Sequence, residues 1–178
     1  MKVTARLSTL TALLTLSQAS ATDLAPRVTV SGDLPKNGAL GIRDLEALGA
    51  TTFEWSDHGE KHQVRGVLLD KVLAAFGYSP GAYGKQVAGN QKRAGWRKVV
   101  VAIGSDGYEV AFSCAEISQE IGATRALLSW SMDGVPLRAG SGPLRLVVPT
   151  DREPARSVRN LERLVVVDVS QPLTRPTH

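Results

Sequence analysis

The apolar positions of this chain fall into short runs of two kinds. Val28 and Val30 alternate with polar neighbours over residues 27 to 31, the period expected of a half-buried strand. Thr51 to Trp55 is β-branched and aromatic and predicts a second strand. Asp57-His58-Gly59 marks a turn, after which Gln63 to Arg65 pairs back. Lys98 to Ile103 is a continuous β-branched run and predicts a buried strand. Asp106-Gly107 turns the chain into a strand over Tyr108 to Phe112. Further strands are predicted at 126–132, 144–148 and 164–169, with a hairpin turn at Asp133-Gly134. The helical period appears in fewer places. Ile42, Leu45 and Leu48 share a face and stop at Gly49. Leu68, Val72 and Phe76 are spaced four apart and end at Gly77, a residue suited to a left-handed C-terminal cap. Ser113-Cys114-Ala115-Glu116 fits a capping box for a short helix reaching about Gln119. Ser157 to Leu161 is open between a short helix and a turn. Tyr78 to Gly95, rich in glycine and without apolar period, reads as a long loop.

At least six strands with two or three short helices, not in strand–helix alternation, predict an α+β fold with mixed or antiparallel sheets. The 178 residues are enough for one domain, and 43% hydrophobic content is enough for a core. The N-terminus carries the three parts of a secretory signal: Lys2 and Arg6, an apolar stretch from Leu7 to Leu16, and Ala19-Ser20-Ala21 as a cleavage site. The alternative is an amphipathic N-terminal helix. The expected organisation is a signal peptide at 1–21, a single domain at 22–170 and a flexible tail at 171–178. This makes the protein exported, soluble and periplasmic. No later apolar run is long enough to span a bilayer. Formal net charge is +4, and loss of Lys2 and Arg6 removes half of that excess. The group Lys92, Arg93, Arg97 and Lys98 has no nucleic-acid motif around it and reads as a solvated loop or strand end. Cys114 is the single cysteine, so no intramolecular disulfide can form.

Several segments, in order, resemble the oxidoreductase molybdopterin-binding domain, the fold of sulfite oxidase and its bacterial relatives. They are Phe53-Glu54-Trp55 followed by Arg65-Gly66-Val67-Leu68-Leu69, then Asp106-Gly107-Tyr108, then Asp133-Gly134-Val135-Pro136-Leu137, then the segment from Gly142 to Pro149, and Ser157-Val158-Arg159-Asn160-Leu161. The resemblance covers about residues 27 to 169. It implies the sulfite-oxidase type of α+β fold, a periplasmic oxidoreductase subunit and a molybdopterin cofactor. It places Trp55, His58, Tyr108, Arg145, Ser157 and Arg159 at the cofactor pocket. In catalytic relatives a cysteine on the loop after the first of these strands holds the metal. This chain has Trp55-Ser56-Asp57-His58 there. Tryptophan cannot ligate, serine and aspartate are hard oxygen donors, and histidine is a neutral nitrogen donor, so no soft thiolate is offered. The resemblance therefore implies a short sub-branch without that anchor. The alternative function is a binding module on the same fold, without molybdenum, for a small-molecule ligand or a periplasmic partner protein.

Each candidate residue also has a structural reading. Arg145 and Arg159 could grip a phosphate with two parallel hydrogen bonds, or pair at the surface with Asp151, Glu153 and Glu162. Surface pairing is the expectation for Arg156 and Arg163. His58 and His62 are four apart, the spacing of a zinc pair on a helix, but the turn at Asp57 to Gly59 makes a charged hairpin tip the expected reading. Cys114 is expected as a packed core thiol rather than a ligand, and Trp130, inside a strand, as core. No nucleophile–base pair and no glycine-rich phosphate loop is visible. N-terminal sequencing of the exported protein should begin near Thr22; a chain retaining Met1 would refute the signal reading.

Overall fold

The computed structural model describes residues 26–79 and 95–170. The expected leader, the expected tail, most of the glycine-rich loop and the residues Lys92 and Arg93 lie outside the described residues. Ten strands and three short α-helices follow in the order β1 (Arg27–Gly32), β2 (Gly38–Gly41), α1 (Ile42–Ala47), β3 (Thr51–Asp57), β4 (Glu60–Leu68), α2 (Leu69–Ala75), β5 (Lys98–Gly104), β6 (Glu109–Ser113), α3 (Cys114–Ile117), β7 (Leu127–Met132), β8 (Val135–Pro136), β9 (Arg145–Val147) and β10 (Leu161–Asp168). Single 3-10 turns occur at Gly95–Arg97 and Pro154–Arg156. The architecture is α+β, as the pattern predicts.

The first sheet runs β2-β1-β10-β5-β6, with β1 and β10 parallel and the other neighbours antiparallel. The second runs β3-β4-β7-β8, with β9 also paired to β7, and is antiparallel throughout. The main core lies where the inner faces of both sheets and the helices meet. Val28, Val30, Val100, Leu164 and Val166 come from the first sheet and Val67, Leu128 and Leu146 from the second; Leu45, Val72, Leu73 and Ile117 come from the helices. Successive strand residues point to opposite faces. Leu68, Leu127 and Val147, next in sequence to core residues, therefore join Trp55 and Val64 in a smaller cluster on the far face of the second sheet. That second face carries the site described below.

Several boundaries differ from the sequence reading, each for a tertiary reason. β2 was not expected; Gly38 to Gly41 has little β propensity and is held by pairing with β1. β4 spans nine residues because β3 and β7 flank it on both sides. β10 begins at Leu161, so the segment 157–161 is neither helix nor simple turn. Val158 bridges Leu146 and Asn160 takes a left-handed conformation before the strand starts. β5 is fully buried on its inner side; on its outer side Val99 and Val101 are half-buried and only Ile103 is buried. α3 stops at Ile117 although its capping box forms as expected. There Ser113 Oγ accepts from the Ala115 N–H, and the Glu116 carboxylate accepts from the Ser113 N–H. At Gly66 the β4 and β7 backbones come so close that a Cβ would strike the Leu128 carbonyl oxygen, so only glycine fits.

Cys114 sits in the main core with no exposed surface. Burial pushes its thiol up to about 11, against a smaller opposing hydrogen bond from Tyr78. Tyr78 is pushed up by the same burial and donates its hydroxyl to the Gly95 carbonyl at 3.2 Å. A thiol with a raised pKa and no exposure reacts slowly. Cys114 should label slowly in the native protein at pH 8 and rapidly in denaturant, and Cys114→Ser should lower the melting temperature. Fast native labelling would show that the helix it begins opens readily.

Candidate functional site

The β3–β4 hairpin closes through His58 and Gly59, both at positive φ (51° and 91°). This is the two-residue turn whose twist suits a hairpin. It projects Asp57 on the same face of β3 as Trp55, two residues back. Opposite, β9 pairs with β7 so that Arg145 shares its face with Val147, over the smaller apolar cluster. The Arg145 guanidinium lies 4.4 Å from the centre of the Trp55 ring, within cation–π range. Its terminal nitrogen is 3.3 Å from Asp57 Oδ2, and its Nε donates to Ser157 Oγ at 2.8 Å. Ser157 Oγ in turn donates to the Leu146 carbonyl at 2.9 Å. Arg145 is 4% exposed. Burial lowers its pKa from the usual guanidinium range and the Asp57 carboxylate pushes back.

Around this pair is an open cavity of about 350 Å³, lined by Asp57, His58, Asp106, Tyr108, Arg145, Glu153, Pro154, Ala155, Ser157 and Arg159. Tyr108 arrives on the hairpin between β5 and β6. Its hydroxyl donates to the Ala155 carbonyl at 2.6 Å and its half-exposed ring forms one wall. The opposite wall is the turn at 153–157. Arg156 holds that turn from outside the cavity by a two-pronged contact to Asp151 (2.6 and 2.7 Å) and a third bond to Glu116 (2.7 Å), over the Phe112 ring. The Asp151 bonds are the main reason its pKa is raised.

Five of the six expected pocket residues thus line one cavity: His58, Tyr108, Arg145, Ser157 and Arg159. Trp55 does not. At 2% exposure it lies beneath Arg145 as a platform. The surface ion pairs expected for Arg145 do not form. Its carboxylate is Asp57, across the sheet, rather than Asp151, Glu153 or Glu162. Arg156 does make the expected ion pair with Asp151 and adds Glu116, while Arg159 is exposed with no ion pair or hydrogen bond among the described residues. His58 and His62 diverge. His58 stands at the exposed tip with Nε2 3.7 Å from Asp57 Oδ1, whereas His62 Nδ1 contacts Asp133 at 2.7 Å. Trp130 is core, as expected. As cavity residues the sequence reading missed Asp106, which it read only as a turn former, and Glu153, Pro154 and Ala155, which lie on a turn without a pattern of its own. Asp57 carried a signal: an acidic residue two places after a buried tryptophan faces the apolar side and needs a cation.

A molybdenum centre anchored in the way the resemblance implies needs a cysteine thiolate here. The groups facing the cavity are carboxylate, imidazole, hydroxyl and guanidinium, none of them a thiolate; Arg145 engages Asp57 through Oδ2, while Oδ1 is buried without a hydrogen-bond partner. The single thiol, Cys114, belongs to the main core, whereas Arg145 stands over the separate cluster on the far face of the second sheet. These residues do not fit such a centre. Neither does any cluster of three or more His, Cys, Asp or Glu side chains suited to a metal occur among the described residues.

Removing one partner of a buried ion pair leaves the other charge uncompensated. Arg145→Met should therefore destabilise the fold by about 3 kcal/mol, and adding Asp57→Asn should recover part of the loss. The check is urea unfolding of both single variants and the double. Equal stability of Arg145→Met and wild type would show that the pair is merely superficial.

Comparison with known proteins places this geometry. The family model described as oxidoreductase molybdopterin binding domain matches residues 37–174. No curated protein is similar enough to count as a match. Among solved structures, the chain is similar to the crystal structure of the sulfane dehydrogenase SoxCD from Paracoccus pantotrophus. The TM-score is 0.60 at 20% identity over 80% of this chain, a likeness of fold. The match takes in 38% of that protein's chain, so this chain spans well under half of its length. The family match over most of the residues, together with the shared fold, shows that the chain belongs to the oxidoreductase molybdopterin-binding domain family.

Proposed function

We propose that this protein is an exported, periplasmic binding domain of the molybdopterin-binding family that works without a protein-anchored molybdenum. Its ligand is a small polar molecule with an anionic group, held at the cavity between His58, Tyr108 and Arg159. The observation that carries this reading is the Arg145–Asp57 ion pair, which occupies the region where the resemblance implies a metal-bearing thiolate. The cavity volume is at the lower end of the range for small-molecule sites. Within it, Arg145 is spent on Asp57 and Ser157, so it shapes the floor. Among the described residues, Arg159 is the cation left for an incoming anion, with the Tyr108 ring as an apolar wall. Glu153 and Asp106 add acceptors on the rim, which suits a ligand that also carries hydrogen-bond donors. Export rests on the signal-like N-terminus.

The second reading is a periplasmic oxidoreductase subunit with molybdopterin, supplying metal-centred redox chemistry, and it draws on family membership. One experiment separates the two. Protein purified from its native periplasm is assayed for molybdenum by mass spectrometry and for turnover with artificial electron donors and acceptors. The binding-domain reading expects well under one molybdenum per chain and no turnover; near-stoichiometric metal with turnover overturns it. For the ligand side, thermal stabilisation by inorganic phosphate and by small phosphate esters is measured. Arg159→Ala should weaken binding of any stabilising anion by about 1.5–3 kcal/mol, the worth of a charged hydrogen bond. Arg159→Lys should recover only part, since the planar two-donor grip is lost. Unchanged binding in Arg159→Ala would return this residue to the surface.

A further inference from the structure

The outer face of the first sheet is apolar along β5 and β10, with solvent-exposed apolar positions at Val167 and Ala111. A sheet with one wet face alternates apolar and polar residues. β5 and β10 do not. Val99, Val101 and Ile103 of β5, Val165 and Val167 of β10, and Ala111 of β6 point away from the main core, whose members from these strands are Val100, Ala102, Leu164, Val166 and Phe112. Val167 is 42% exposed and Ala111 is exposed, Val99, Val101 and Val165 are half-buried, and Ile103 is already buried between its neighbours at 7%. Strands apolar on both faces are characteristic of sheets covered on both.

The register along this face identifies the cover. Arg163 of β10 pairs with Ile103 of β5, and Ile103 pairs with Glu109 of β6. One row therefore reads arginine, isoleucine, glutamate. Arg163 and Glu109 are two strands apart, both exposed, and neither has an ion-pair partner among the described residues. The next row reads Val165, Val101, Ala111. A two-fold axis running along β5 and lying in this face lays β10 of one copy over β6 of the other. Arg163 then meets Glu109 of the second copy, twice by symmetry, and the bulky Val165 covers the small Ala111. Such reciprocity is what a two-fold interface demands. Aligned face-to-face packing is an ordinary arrangement for two sheets.

We propose that the protein self-associates through this face into a two-fold dimer, with β5 on the axis and Arg163–Glu109 pairs on either side. The footprint of three strands is small, roughly 15 Å by roughly 20 Å at ordinary strand spacings. The dimer is accordingly of the weak, concentration-dependent class. The proposal is independent of the ligand and metal readings, since the face carries none of the residues that line the cavity.

Sedimentation velocity of the mature chain over a wide concentration range tests it. The wild type should shift from monomer toward dimer as concentration rises. Glu109→Arg and Arg163→Glu should each raise the dissociation constant roughly tenfold or more, because two attractive contacts become repulsive. The double exchange, Glu109→Arg with Arg163→Glu, should restore the wild-type constant. Val101→Lys should leave only monomer with an unchanged melting temperature. A wild type that stays monomeric at every concentration overturns the dimer, and a Val101→Lys variant that then loses stability would assign the face to a segment of the same chain. A dimer indifferent to the charge exchanges also overturns it, and because Glu109 and Arg163 are exposed that result stands even if Val101→Lys fails to fold.

Discussion

A buried guanidinium is the constraint on which this site depends. Arg145 cannot lose its proton at any ordinary pH and has almost no access to water. It must therefore gather partners, since an unpaired buried charge costs far more than any single packing contact returns. It draws Asp57 from the tip of one hairpin, Ser157 from the segment before β10 and the Trp55 ring from below. Three stretches of chain, β3, β9 and the segment before β10, are fixed against one another by that requirement. The cavity is the space left around them.

The consequence for function is that the fold and the site point in different directions. The chain belongs to a family of molybdopterin-binding oxidoreductase domains and has the corresponding α+β architecture. Fold alone does not assign chemistry, which resides in the side chains at the site. Here the side chains are hard donors and cations, and the one thiol is a core residue with its pKa raised by burial. The cavity wall is nonetheless firmly built. Arg156 ties it to Asp151 and to the first helical turn after β6, and the Tyr108 hydroxyl ties the facing hairpin to Ala155. A wall held by charge-assisted bonds on its outer side leaves its inner side free to meet a ligand.

The periodicity of the sequence determined the kinds of element and most of their positions. Val28 and Val30, the Leu68–Phe76 spacing, the Ser113–Glu116 capping box and the Asp106-Gly107 turn all act through neighbours a few residues away, and local pattern suffices for them. The ordered segments ending in Ser157-Val158-Arg159 likewise marked five residues that share one cavity. The extent of β4, the existence of β2 and the early start of β10 were beyond local reading, because cross-strand partners supply the pairing that propensity does not.

Tertiary structure alone decided the roles of the arginines. Nothing in the segment around Arg145 reveals that its counter-ion is Asp57, 88 positions earlier, or that Trp55 lies beneath it rather than lining the cavity. The same holds for Arg159, without a carboxylate among the described residues while Arg156, three residues before it, has two. Ion pairing depends on distances of a few ångströms between side chains, and sheet register sets those distances. Composition and spacing fix which charges exist; only the folded chain decides which of them are already satisfied and which remain for a partner.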